Sequence, residues 1–376
     1  MHYIPYGRQD INDEDIQAVV EVLKSDFLTT GPKIAEFEAQ FAEYVGAKYA
    51  VAVSSGTAAL HIACMAADIK EGDEVITSPI TFAASANCVL YCKGTPVFAD
   101  INPLTYNIDC GQIEKLINER TKAIIPVHYA GQPCDMDEIH RLADKYHLMV
   151  IEDAAHALGA TYKGKMIGSL SDMTEFSFHP VKHITCGEGG MVTTNDEKLY
   201  ESLKRYRTHG ITRNQQEMTE YDGEWYYEQI ALGYNYRVTD FQTALGASQL
   251  KRVEQFLKRR REIAAKYDRA FQNIKEITIP YQMEQTNSSY HLHVIQVDKS
   301  IRKQFFEYLR ENQIGVNVHY IPVYTFPYYR ANGYAAIKCQ KAEQFYASAI
   351  SLPIFYRLTD EEQDYVINKV IVFIQG

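Results

Sequence analysis

The chain has 376 residues, 46 % of them hydrophobic and 23 % charged, with 48 acidic against 38 basic side chains and a net charge of −10 at pH 7. Those values exclude intrinsic disorder, allow a large buried core and, at this length, predict two domains rather than one. The acidic balance also argues against a broad nucleic-acid surface, although a pocket for a small anion needs only local donors. Tyr49–Val53 predicts a strand and Ala58–Ala67 a helix, followed by a strand over Glu74–Thr77 and a helix over Thr81–Lys93 closed by Gly94. Strands over Pro96–Asp100 and Thr121–Val127, a helix over Asp135–Tyr146 and a strand over Leu148–Asp153 continue the alternation. Such alternation predicts an α/β fold with a mostly parallel sheet covered on both faces. From Ala244 to Phe271 the pattern is one long helix rich in Lys, Arg and Glu, of a length that commonly bridges domains. A strand over His291–Val297, a helix over Ile301–Asn312 and a strand over Val316–Tyr320 then predict a smaller C-terminal α/β domain. The expected division is residues 1–250 and residues 251–376.

No period repeats and no low-complexity tract occurs. The seven cysteines (Cys64, Cys88, Cys92, Cys110, Cys134, Cys186 and Cys339) are odd in number and contain no C-x-x-C pair, so reduced thiols are expected, with no metal site and no disulfide framework. The N-terminal MHYIPYGRQD has no apolar signal region, and no apolar run is long enough to span a bilayer. The expectation is a soluble cytoplasmic protein without membrane or nucleic-acid partners.

Several places are candidates for chemistry. LMVIED ends a parallel strand in Glu152-Asp153, at the sheet edge where open α/β folds bind ligands. A pyridoxal ring needs an acidic partner for its nitrogen, and Asp153 suits that role with His156 orienting it; a plain N-cap is the other reading of Asp153. SFHPVK places Lys182 on a loop before the Gly-rich CGEGG, with Ser177 five residues earlier able to donate to a phosphate. Schiff-base chemistry requires a neutral amine, which partial burial favours; a surface lysine in a turn is the alternative. VAVSSGTAAL sets Ser54, Ser55, Gly56 and Thr57 between a strand and a helix start, where backbone N–H groups and the helix dipole favour an anion; ordinary N-caps are the other reading of Ser and Thr there. It matches neither the P-loop nor the dinucleotide fingerprint. Phe82, after SPIT, could stack on a heteroaromatic ring or belong to the core. Arg207, His209 and Gly210 in RYRTHG and Asn235 and Arg237 in GYNYR read as ligand loops or solvated turns, and His319 and Tyr320 end the strand of VNVHYIPVY, where a ligand contact and a buried, satisfied histidine are equal readings.

Together these segments resemble the DegT/DnrJ-type sugar aminotransferases of the aspartate-aminotransferase fold, fold type I. The likeness runs nearly end to end through FLTTGPKIAEFE, SSGTAAL, EGDEVITSPITFAASAN, PVHYAGQPCDMDEI, IEDAAHALGATYKGKMIG, FSFHPVKHITCGEGG, LGYNYRVTDFQTALGASQL and GVNVHYIPVY. The resemblance implies pyridoxal 5'-phosphate as cofactor, Lys182 as the Schiff-base lysine and Asp153 as the ring-nitrogen partner. It further implies His156 beside the ring oxygen, Phe82 stacked on the ring, and phosphate contacts from Gly56, Thr57 and Ser177. Asn235 matches an asparagine that reaches the phosphate from the neighbouring subunit, which implies a homodimer with shared sites. Tyr6, Thr29, His319 and Tyr320 are the candidate substrate contacts. A dehydrating branch of the family carries His in place of this lysine, so Lys182 favours transamination.

HALGATYK, SFHPVKHIT and GVNVHYIPVYTFPYY are most similar to the C4 aminotransferases of pseudaminic acid synthesis. Those use L-glutamate and UDP-2-acetamido-2,6-dideoxy-β-L-arabino-hexos-4-ulose. The alternatives are a C4 aminotransferase for another UDP-, GDP- or dTDP-keto sugar, a decarboxylase or lyase on the same cofactor, and a non-catalytic regulator of the same fold.

Overall fold

The computed structural model describes residues 2–376. Seven short runs rich in β-branched and small apolar residues become strands: β1 (Tyr49–Val53), β2 (Glu74–Thr77), β3 (Thr95–Phe98), β4 (Thr121–Ile125), β5 (Met149–Asp153), β6 (Met173–Ser177) and β7 (Gly190–Thr194). They form one sheet in the order β3-β2-β4-β5-β6-β7-β1, and only β7 runs antiparallel to its neighbours. The chain is therefore an α/β protein with the mostly parallel sheet that the alternation predicts.

Helices bury both faces. They are α1 (Asp13–Leu23), α2 (Pro32–Val45), α3 (Gly56–Ala66), α4 (Ala84–Tyr91), α5 (Cys110–Leu116), α6 (Met136–Tyr146), α7 (Glu197–Arg207), α8 (Asp240–Leu250) and α9 (Val253–Phe271). Strand periodicity decides which core each residue joins. Ala50 and Ala52 of β1 pack with Phe37 and Phe41 of α2 and with Ile139 and Leu142 of α6. Val51 and Val53 face the other way, onto Leu60 and Ile62 of α3 and Leu203 of α7. Phe37 and Phe41 are fully buried, and each such ring contributes about 1.5–3 kcal/mol by leaving water. The same alternation separates Glu152 from Asp153. Glu152 points away from the site, where Oε2 accepts from His128 Nε2 at 2.7 Å and Oε1 from Thr174 Oγ1 at 3.1 Å. Burial opposes its charge most strongly, yet the hydrogen bond and charge of His128, with Ser171 and His140 behind them, together hold the carboxyl below its ordinary pKa.

Three expected elements differ. The long helix over Ala244–Phe271 is broken into α8 and α9 at Lys251-Arg252. Arg252 is held there by Asp10 at 2.8 Å and Asp15 at 2.5 Å, partners more than 230 residues away that no local pattern reveals. The helix after β2 starts at Ala84 rather than Thr81, which leaves Thr81 and Phe82 in the turn above the sheet edge. Val316–Tyr320 forms no ladder, only an isolated bridge from Asn317 to Ser351. Asn317 Oδ1 accepts from the N–H of Val318 at 2.8 Å, a local bond that competes with strand pairing.

Partners change along α9. Val253, Phe256 and Leu257 pack with the sheet's helices. Ile263, Tyr267 and Phe271 pack instead with the antiparallel pair His293–Gln296 and Ala349–Leu352 and with the helices Arg302–Glu311 and Asp360–Gln375. We propose the division near residue 251 on that change of core. Among the described residues, no helix is long and apolar enough to cross a membrane.

Candidate active site

The C-terminal ends of β1, β2, β5 and β6 open into a cavity of about 690 Å³, closed on the far side by Tyr6, His291, Asn317, His319 and Tyr320. This is the edge at which open parallel sheets bind ligands.

After β1 the chain turns into α3 with Ser55 as N-cap, its Oγ accepting from Ala58 N–H at 3.1 Å. The first N–H groups of a helix have no partner within it, so those of Gly56 and Thr57 remain for an anion. The turn lies directly on β7. A Cβ on Gly190 would come within 2.6 Å of the Ser55 carbonyl carbon and 2.8 Å of Gly56 N, so only glycine permits this approach. A Cβ on Gly56 would in turn meet Ser177 Cβ at 3.0 Å. Ser177, Gly56 and Thr57 thus share one wall of the cavity.

Asp153 ends β5 and is 6 % exposed. Its Oδ2 accepts from Ser85 Oγ at 2.6 Å and its Oδ1 from Ala155 N–H at 3.2 Å. Ser85 gives its proton to Asp153, so Thr81 Oγ1 donates to Ser85 Oγ across 2.6 Å. The bond to Ala155 is the capping contact of the alternative reading. It uses one lone pair and leaves the carboxylate aimed into the cavity.

His156 is buried behind Asp153. Its Nδ1 accepts from Ala130 N–H at 3.3 Å, which puts the ring proton on Nε2, facing Tyr320 Oη at 3.0 Å. Burial, reinforced by the charge of Lys182, holds this imidazole well below its ordinary pKa. Burial pushes the Tyr320 phenol upward. Tyr320 therefore accepts from His156 and keeps its own O–H to give to a ligand. Phe82 stands at the mouth, 64 % exposed, with its ring centroid 6.5 Å from that of Tyr320.

Lys182 lines the cavity on the loop after β6. Burial pushes its amine down to about 8, against the opposing pull of Glu175 and Asp153. Among the described residues no side chain forms an ion pair with it. His319 accepts from Asn317 Nδ2 at 3.3 Å and so donates through Nδ1 to Ser351 Oγ at 2.8 Å. Burial, then Lys182, lowers its pKa to about 3, so it is neutral.

The structure brings Lys182, Asp153, His156, Ser177, Gly56, Thr57, Phe82, Tyr6, His319 and Tyr320 to one cavity. Thr29 and Asn235 do not line it. Thr29 is exposed and bridged to Thr239, and Asn235 is exposed and bridged to Thr208. Arg207 is tied to Glu38 at 2.5 Å and to Ala52 O at 2.9 Å, which makes it a strut for the turn rather than a free ligand. Sequence reasoning missed Ser85, Glu175, His291 and Asn317. Glu175 had a local signal, an acid at the centre of the buried run MTEFS; the others are recruited by chain crossings.

The donor set suits an anion at the α3 end and a protonated heteroaromatic nitrogen at the Asp153 end, with an easily neutralised amine between them. Comparison with known proteins agrees. The profile of the DegT/DnrJ/EryC1/StrS aminotransferase family matches residues 9–371. The chain is 44 % identical over 381 residues to the spore coat polysaccharide biosynthesis protein SpsC of Bacillus subtilis, covering 100 % of this chain and 98 % of that one. It is 39 % identical over 369 residues to the UDP-4-amino-4,6-dideoxy-N-acetyl-beta-L-altrosamine transaminase of Campylobacter jejuni, covering 96 % and 95 %. Helicobacter pylori PseC, described as an aminotransferase involved in the biosynthesis of pseudoaminic acid, superposes with a TM-score of 0.93 at 35 % identity over 99 % of both chains. The PLP-form of Spr1654 from Streptococcus pneumoniae gives 0.93 at 33 % identity over 100 % of this chain and 99 % of that one.

Proposed function

The chain belongs to the DegT/DnrJ/EryC1/StrS aminotransferase family, and on that premise we propose that it moves the amino group of L-glutamate to C4 of a UDP-linked 4-keto-6-deoxy sugar. It is a nucleotide-sugar transaminase with pyridoxal 5'-phosphate as cofactor. The proposed acceptor is UDP-2-acetamido-2,6-dideoxy-β-L-arabino-hexos-4-ulose. The observation that carries the mechanism is the convergence of an anion cradle, a carboxylate and a depressed amine in one cavity.

When bound, the cofactor supplies a protonated ring that accepts the electron pair left at the donor's Cα. Gly56, Thr57 and Ser177 would hold its phosphate, Asp153 its ring nitrogen, and Lys182 its carbonyl carbon. Lys182 Nζ takes the proton from Cα of glutamate in the first half-reaction. In the second it delivers a proton to C4 of the sugar. Proton transfer by a positioned base is worth about 10²–10⁴-fold, and an amine with a pKa near operating pH serves both directions. The free O–H of Tyr320 is the donor available to an oxygen of cofactor or substrate. Neutral His319 and Tyr6, ring centroids 5.5 Å apart, form the wall proposed for the sugar.

The acceptor is tested by glutamate-dependent amination across UDP-, GDP- and dTDP-linked 4-keto sugars. The UDP-linked arabino-hexos-4-ulose is expected to give the highest kcat/KM. Preference for a GDP or dTDP sugar would overturn that choice of acceptor. Amination of none, with cofactor bound, would favour the regulator reading.

We also propose a homodimer in which each site borrows Asn235 from the partner. Asn235 does not line its own subunit's cavity, although Tyr236 O next to it accepts from the N–H of cavity-lining Ser54 at 2.9 Å, and the segments that carry Asn235 and Thr29 also carry exposed Trp225, Tyr227, Ile230, Leu232, Phe27 and Leu28. Bare apolar side chains in such number suit an interface. Mixing inactive Lys182→Ala with inactive Asn235→Asp places both defects in one site of the hybrid and none in the other. Activity is then expected to return to about a quarter of wild type under random pairing of a two-fold dimer. No return despite proven exchange would assign Asn235 to its own subunit.

A further inference from the structure

Glu175 takes no part in the proton transfers at Lys182, yet it lines the same cavity. It lies on β6 directly beside Asp153 on β5, the two being register partners in the parallel ladder. Adjacent in-register residues project from the same face of a sheet, so the carboxyl groups are neighbours. Glu175 is 1 % exposed, and neither of its oxygens finds a hydrogen-bond donor among the described residues. Its Oε1 also lies 2.4 Å from where a Cβ on Gly56 would be, at the foot of the anion cradle.

The groups facing Glu175 decide its charge. From β5 comes the carboxylate of Asp153, and from the loop after β6 the amine of Lys182. At the start of α3, the point a Cβ on Gly56 would take lies 2.4 Å from Glu175 Oε1 and 3.3 Å from Ser177 Oγ. An ionised Glu175 would thus be a buried anion without a donor, beside one carboxylate and close to the phosphate site. A buried carboxyl in that position protonates rather than remain charged. Burial, then Asp153, pushes it well above the usual carboxylate range, with Lys182 opposing.

We propose that Glu175 is a positioning residue that stays protonated in the working enzyme and donates its O–H to Asp153. This rests on the reading of Asp153 as partner of the ring nitrogen. Asp153 then accepts from Ser85, Ala155 and Glu175 at once. Each donor stabilises its anionic form and so weakens its pull on the ring proton. A neutral Glu175 also keeps a second negative charge away from the phosphate.

The test uses the holoenzyme with Glu175→Gln and Glu175→Leu. Infrared difference spectra of wild type against Glu175→Gln at neutral pH should show the carbonyl stretch of a protonated carboxyl group, lost in the variant. A carboxylate signature in its place overturns the proposal. Glu175→Gln keeps a neutral donor to the Asp153 carboxylate, and its turnover should fall by no more than about tenfold, less than the worth of losing one hydrogen bond to a charged group. A fall beyond about a thousandfold with cofactor retained, too large even for complete loss of that bond, would mean that the charge is required. Glu175→Leu removes the donor and should shift the pH at which the bound cofactor's absorbance changes. A side chain that merely fills space leaves that pH unmoved, and this result also overturns the proposal. Failure of the parent reading is seen separately. If that reading fails, Asp153→Asn leaves the cofactor's absorbance profile unchanged while the infrared band of Glu175 persists.

Discussion

Lys182→Ala is expected to fold as the wild type does, to lose the yellow absorbance of covalently held cofactor, and to lose turnover by about 10⁴-fold or more, since one residue supplies both the covalent link and the proton shuttle. Folding should survive because the amine is paired with no side chain among the described residues, and its burial works against its charge. Lys182→Arg should be as inactive, because guanidinium keeps its proton and cannot serve as the neutral amine. The sign of the pH dependence follows from the same group. A pKa lowered to about 8 makes the neutral amine available well below the pH at which an exposed lysine would offer it. Capture of cofactor by the cofactor-free enzyme should therefore accelerate as pH rises toward that value, about tenfold per pH unit, and level off above it. An unchanged yellow band in Lys182→Ala, or capture that slows as pH rises toward that value, would remove Lys182 from its role.

Asp153→Asn is the second large effect. The amide keeps the shape of the side chain, and Ser85 Oγ retains an acceptor. The charge facing the ring nitrogen goes, and the NH2 that replaces Oδ1 no longer accepts from the Ala155 N–H. A neutral ring is a poorer electron sink, so turnover should fall about 10²- to 10³-fold, the scale on which a single preorganised electrostatic partner acts. Asp153→Ala should fall further, because Ser85 and Thr81 then lose the group that orders them. Stopped-flow absorbance separates this from misfolding, since cofactor binding by the cradle should persist in both variants. Wild-type rates in Asp153→Ala with cofactor bound would assign the ring nitrogen to another residue.

Much of the sheet was legible because strands buried on both faces read as continuous apolar runs; YAVAV and the MVI that precedes Glu152 need no partner to be recognised. Lys182, Asp153, Ser177 and Gly56 were legible for a related reason. Each stands at a strand end or a glycine-rich turn, where local sequence declares a change of direction. What escaped depends on distant groups. The break between α8 and α9 is made by Asp10 and Asp15, and the loss of the Val316–Tyr320 ladder by a bond within Asn317-Val318. Ser85 reaches Asp153 across 68 residues, and Tyr320 reaches His156 across 164. Thr29 and Asn235 mark the other limit, since nothing in one chain's pattern says whether a loop serves its own cavity or a neighbour's.

The most direct measurement follows the amino nitrogen itself. The enzyme is given glutamate carrying an isotopic label in its amino group, together with the UDP-linked 4-keto sugar, and the sugar product is analysed by mass spectrometry. The label should appear in an amine at C4 of the sugar, matched by release of oxoglutarate, and should be absent from reactions with Lys182→Ala. A sugar amine without label, or loss of carbon dioxide or water from a substrate with no transfer of nitrogen, would contradict amino transfer at this site.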